Sequence, residues 1–221
     1  MHLRRYAWWA GLLAVSLLVL SFSLVVRPWY MQWGATEQEV ALPLPGDRFI
    51  PTGAVVSTRA ITIQAPADHV WRWVVQLGQG RGGFYSYSWL ENLFAADMHN
   101  VNEILPELQQ LRVGDRLALM RNGEQSPVTS VDVTGLEPGR TLVLGEGWTL
   151  ALVPLDGQTT RLIVRYPWVV DGPANALYYY PIFEPAHFLM ESGMMLGIMA
   201  RAEREWATAG PTPAVAEGST R

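Results

Sequence analysis

The sequence predicts an α+β protein, a curved antiparallel sheet wrapped around one long C-terminal helix, preceded by a single N-terminal transmembrane helix. Three features carry this expectation. The stretch Tyr6–Val26 reads YAWWAGLLAVSLLVLSFSLVV, without a charge or a proline. Between Arg116 and Val170, alternating apolar runs are separated by Asn122-Gly123, Pro138-Gly139, Gly145-Glu146-Gly147 and Asp156-Gly157. From Glu184 to Ala207, Phe188, Met195, Met199, Ala202 and Trp206 recur at helical spacing.

At 1.5 Å per residue, a helix over Tyr6–Val26 reaches roughly 30 Å, the thickness of a bilayer's hydrocarbon core. Arg4 and Arg5 precede it and Arg27 follows. Tyr6, Trp8 and Trp9 flank one end, and Trp29, Tyr30 and Trp33 the other, as aromatic residues do at lipid–water boundaries. A buried core helix would show a polar stripe, and none is present. A cleaved signal peptide is the competing reading. Ser21-Phe22-Ser23 resembles a cleavage site, but apolar Leu24-Val25-Val26 follows it. The basic residues before the run outnumber Arg27. That orients the N-terminus to the cytoplasm and the rest, as a single-pass protein, to the extracytoplasmic side.

Behind the anchor (1–32), residues 33–54 contain Pro43, Pro45, Gly46 and Pro51 without a helical or strand period, and read as a linker. One domain is expected over 55–207. The small, polar, Pro-broken stretch 208–221 reads as a disordered tail. Arg59–Ala65 alternates as a strand, with Ile61 and Ile63 on one face. Pro66-Ala67-Asp68 then opens a helix with Val70, Trp71, Trp73, Val74 and Leu77 on its apolar face, ended by Gly78. Gly78–Gly83 lacks the Gly-Lys-Ser/Thr ending of a phosphate loop and reads as a flexible linker. Gly80–Glu107 is aromatic, then Asn-rich, and suggests short helices with loops.

In the sheet, Leu162, Val164, Tyr166 and Trp168 share a face, while Arg161, Ile163 and Arg165 share the other. One face is therefore expected covered and the other largely solvated. In the last helix, Met190, Met194 and Ile198 widen the apolar stripe, and Glu191, Arg201, Arg204 and Glu205 are expected toward water. Those charges favour a helix lying on the sheet over a second span. A sheet curled around that helix would enclose an elongated apolar cavity.

Composition narrows the function. Hydrophobic residues make up 49% and charged residues 16%, with a formal net charge of −4. Without a long basic run there is no footprint for nucleic acid. Cysteine is absent, which removes disulfides, thiolate nucleophiles and Cys-type zinc sites. No Gly-x-Ser-x-Gly elbow is present.

The order of elements, over about Val55–Trp206, resembles the helix-grip fold of the START-related SRPBCC superfamily. Three stretches carry the likeness. Ala60–Trp71 (AITIQAPADHVW) is similar to that superfamily's opening strand and first helix. Gly82–Asn92 (GGFYSYSWLEN), with His99-Asn100, is similar to a block in one subgroup of its members. Glu184–Phe188 (EPAHF) and the Met-rich helix after it resemble the same subgroup's closing element. The superfamily includes polyketide cyclases and dehydrases, lipid-transfer domains and carriers of aromatic ligands. The resemblance therefore implies a cavity for a hydrophobic small molecule or lipid, and leaves carrier and enzyme both open.

The residues expected to line such a cavity are Tyr85, Tyr87, Trp89, His99, Trp148, Tyr166, Phe188, Met194 and Met195. Tyrosines offer apolar bodies with polar tips, and methionines a soft, adaptable wall. No cofactor and no metal is assigned. The enzyme alternative uses His99 as acid or base, oriented by Asp97. The competing reading of Asp97–Glu103 is an Asn-rich turn whose side chains bond the backbone. His187 is expected to cap the last helix, and His69 to face outward from the first.

Overall fold

Alternating β-branched and aliphatic residues build six strands in a computed structural model that describes residues 2–93, 95–123 and 129–210. They are β1 (Val55–Ile63), β2 (Arg116–Ala118), β3 (Ser130–Glu137), β4 (Thr141–Leu144), β5 (Trp148–Pro154) and β6 (Thr160–Trp168). The order β1-β6-β5-β4-β3-β2 is antiparallel throughout, so β2 to β6 form a meander and β1 closes one edge beside β6. An irregularity between Val133 and Gly135 interrupts the β3–β4 ladder, as a bulge does where a strand bends.

Helix α4 (Ala67–Val74) follows β1, α5 (Ser88–Leu93) a loop, and α7 (Glu184–Ala209) ends the described fold after α6 (Gly172–Tyr178) and a π-helical turn, Tyr179–Phe183. The inner face of the sheet contributes Ile61, Ile63, Leu150, Leu162 and Val164 to the core. Met194, Met195, Ile198 and Ala202 of α7 and Val70, Trp73 and Val74 of α4 complete it. α7 approaches the chain at 85–87 closely because Gly193 and Gly197 sit one turn apart. A Cβ on Gly193 would meet Tyr87 Cε2 at 2.7 Å, and one on Gly197 would run into the Tyr85 carbonyl.

Much of the outer face of the sheet, over β1, β5 and β6, is covered rather than solvated, which corrects the sequence expectation. Residues 33–54 cross it as an ordered belt rather than a featureless linker. They hold α3 (Glu37–Ala41), capped reciprocally by Thr36 and Glu39, and a 3₁₀ turn at Pro45–Phe49. Leu44 packs on Ala60, Ala151 and Ile163. Arg165, expected toward water, is buried beneath the belt. It donates to Asp47 Oδ1 and Oδ2 at 2.8 and 2.7 Å and to the Val40 and Leu42 carbonyls at 2.8 and 3.0 Å. The physical reason is complementarity: an irregular belt leaves carbonyls unpaired, and guanidinium groups on the sheet satisfy them. Arg161 does the same for Gly34, and its bond to Glu39 holds that carboxyl below its usual range. Gly78–Gly83 is a tight turn, with reciprocal backbone bonds of 3.1 and 3.0 Å between its ends. His69 is partly covered, its ring edge-on to Trp206 at 4.9 Å.

At the N-terminus, α1 (His2–Ser21) runs through a π-helical turn, Phe22–Val26, into α2 (Arg27–Met31). Among the described residues, no helix is long and apolar enough to cross a membrane. α1 opens with Arg4 and Arg5, and the uncharged run over which one span was expected is divided between α1 and the π turn. Phe188 clasps this end to the domain, with ring centroids 5.7, 5.4 and 6.1 Å from Trp29, Tyr30 and Trp33. The expected tail falls outside the described residues from Pro211 onward, and Thr208 and Ala209 belong to α7.

Candidate functional site

Toward its start, α7 presents His187, Met190 and Glu191 to the Trp148–Trp168 end of β5 and β6. An open cavity of about 980 Å³ lies there. Its wall is a run of rings. Phe84 stacks on Trp148 (6.1 Å), Trp148 meets Tyr166 edge-on (5.8 Å), and Tyr166 stacks on Trp168 (6.4 Å). Phe183 lies 4.1 Å from Trp168, and His187 3.9 Å from Tyr166. Strand alternation places Tyr166 and Trp168 on the inner face, so a period of two becomes a wall of rings.

Glu191 was expected toward water and is instead buried at 3% exposure, paired with Arg59 on the inner face of β1, itself 1% exposed. Arg59 also donates to the Tyr30 carbonyl at 2.8 Å and lies 5.2 Å over the Phe188 ring. A charge facing the core needs such partners, and the pair ties α7 to β1 beside the cavity. Burial pushes Glu191 above the usual carboxylate range, against the pull of Arg59. Among the described residues, its Oε1, the indole N–H groups of Trp148 and Trp168, and Glu91 Oε2 have no hydrogen-bond partner. Burial, and Arg59 secondarily, holds His187 down to about 3, so its ring is neutral at physiological pH. His187 is thus a wall residue, 3.9 Å from Glu191 Oε1, not a helix cap.

Burial raises Glu91 to about 7. The native state therefore keeps a proton that the unfolded chain releases near 4.5. This contribution to stability is full at low pH and is lost as pH rises toward 7. Urea unfolding at pH 5 and pH 8 should show Glu91→Gln gaining on the natural chain at the higher pH. An equal difference at both pH values would refute it.

Of the residues expected to line the cavity, Trp148, Tyr166 and Met194 do so. The other six do not. Tyr85 is buried in the core with φ of 59°, and its hydroxyl accepts from Gln76 at 2.8 Å. That left-handed turn breaks the alternation that suggested a common face for Tyr85, Tyr87 and Trp89. Tyr87 and Trp89 are exposed, Met195 is core, and Phe188 serves the clasp. His99 lies outside the cavity with its side chain 82% exposed, 3.3 Å from Asp97. Its neighbours are structural: Asn100 accepts from the Tyr85 N–H at 2.7 Å, and Asn92 from the Met98 N–H at 2.5 Å. The His99–Asp97 pair has no access to the cavity as acid or base. Among the described residues, no group of three His, Asp or Glu side chains is placed to hold a metal.

Sequence reasoning missed Phe183, His187 and Glu191. One signal existed for Glu191: Arg59 shares the core parity of Ile61 and Ile63, and a buried guanidinium demands a carboxylate.

No family model and no curated protein matches the chain. Solved structures match loosely. An aromatase/cyclase, Zhui, from Streptomyces sp. R1128 is 14% identical, with 72% of this chain and 99% of that one covered at a TM-score of 0.39. CalC, a self-sacrificing resistance protein from Micromonospora echinospora, is 14% identical over 72% and 98%, also at 0.39. A protein from Nitrosomonas europaea is 13% identical over 73% and 99%, at 0.40. At TM-scores of this size, nothing about ligand or activity is carried over from them, and the helix-and-sheet architecture stands on its own strand order.

Proposed function

We propose that this chain binds a hydrophobic small molecule, lipid or aromatic, between the sheet and α7, while its apolar N-terminal helix sits in a bilayer with the domain on the extracytoplasmic side. The cavity carries the first part. Its volume lies within the range of small-molecule sites, and apolar walls with a few convergent polar atoms are what such sites have. The indole N–H groups and carboxylate oxygens left without partners among the described residues suit a mainly apolar ligand with one or two uncharged polar substituents. For the second part, Leu13, Leu17, Leu18, Leu20, Leu24 and Val25 are exposed on successive turns, apolar surface that lipid would cover.

The test uses the full chain in lipid nanodiscs with a photoactivatable fatty acid. Crosslinks are expected on the peptides bearing Trp148, Tyr166 and Met190. Met194→Trp, which fills the cavity, should cut them at least about tenfold, the scale on which a lost pocket contact weakens binding. Labelling confined to the N-terminal helix, or unchanged in Met194→Trp, would overturn the cavity as the binding site.

A further inference from the structure

The connection from β6 to α7, Gly172–Phe183, reads GPANALYYYPIF and carries no charge. Its Tyr179 is buried, but Leu177 is 77% exposed and Ile182 58%, with Tyr178 and Tyr180 exposed beside them. Adjacent apolar side chains left in the open mark a surface that something covers.

The position of the segment identifies what does. Arg27 is the first charge after the uncharged run Tyr6–Val26. Its guanidinium lies 5.2 Å over the Tyr180 ring and forks onto Glu184, Nε to Oε2 and Nη2 to Oε1 both at 2.8 Å. The Tyr30 hydroxyl donates to the same carboxylate at 2.5 Å. The connection is thereby fixed at the height on the N-terminal helix where the apolar run ends and charge begins. In a bilayer that height is the headgroup region, where tyrosines with apolar neighbours settle.

We infer that Gly172–Phe183 is a second, interfacial membrane contact, an uncharged shelf beside the N-terminal helix that sets the cavity's edge against the lipid surface. The inference rests on the reading of Tyr6–Val26 as bilayer-embedded. It also gives the cavity its source of ligand. Val169, three residues before the connection, and Phe183, its last residue, both line the cavity, which gives an apolar molecule a route to lipid across the shelf.

The chain has no cysteine, so single cysteines can each carry an environment-sensitive nitrobenzoxadiazole dye. The full chain is reconstituted into phosphatidylcholine–phosphatidylglycerol vesicles, with and without spin-labelled lipid. Probes sit at Leu177→Cys and Ile182→Cys. A third at Asp156→Cys marks the exposed β5–β6 turn at the opposite end of the sheet, and a fourth at Leu17→Cys reports the N-terminal helix. Expected are blue-shifted emission and several-fold lipid quenching at positions 177 and 182, with position 156 unaffected. Quenching at position 17 but not at 177 or 182 overturns the shelf while sparing the anchor, and is what a protein partner on this face would give. Quenching at 177 and 182 but not at 17 upholds the shelf and overturns the anchor. No quenching at 17, 177 or 182 overturns both.

Discussion

Glu191→Ala is expected to cost about 3–5 kcal/mol of folding stability, the scale for leaving one member of a buried ion pair without its partner. Arg59 is 1% exposed and loses the acceptor of its Nη1 group, keeping the Tyr30 carbonyl and the Phe188 ring among the described residues. Denaturant unfolding of the full chain measures the loss. The double variant Arg59→Met with Glu191→Leu removes both charges while keeping volume, and should be more stable than either single change. A loss below about 1 kcal/mol in Glu191→Ala would mean that the pair is hydrated in solution. Because Glu191 also lines the cavity, the same substitution should loosen the start of α7 and weaken ligand binding.

Gly197→Ala is expected to destabilise by about 3 kcal/mol, although the same change in an open helix is favourable by about 1 kcal/mol. The sign reverses because the added methyl meets main chain rather than a movable side chain. It would run into the Tyr85 carbonyl, with Tyr85 Cβ at 2.7 Å. Tyr85 cannot retreat easily: it holds a left-handed conformation, with its N–H bonded to Asn100 and its hydroxyl to Gln76. Gly157→Ala, at an exposed turn with open space around the site, serves as the near-neutral control. Thermal unfolding of both variants decides the matter, and a stabilised Gly197→Ala would show that α7 stands off from this loop.

The elements that reported themselves in sequence are those whose signal is local. β4 and β5 lie between the turn pairs that predict them, because a hairpin is specified by residues that touch along the chain. α7 was legible for the same reason, as were Trp148, Tyr166 and Met194, which inherit their direction from strand and helix periods. The outer face was misread because the charges of Arg161 and Arg165 outweighed Ile163 between them. Their partners, Glu39 and Asp47, lie more than a hundred residues earlier. The aromatic block failed for a different reason. Alternation presumes extended backbone, which the positive φ of Tyr85 breaks, and Trp89 already belongs to helix α5.

By itself, then, the sequence determined the α+β class, the meander with its turns, the long closing helix and the uncharged run at the N-terminus. Each follows from periodicity or composition within a short window. Tertiary structure alone decided that Glu191 turns inward, that His187 is a neutral wall residue while His99 stands in solvent, and that residues 33–54 roof the sheet. It also brought Tyr180 under Arg27. These depend on which distant group meets a charge, and burial energies, unlike turn propensities, are set only once the chain has closed on itself.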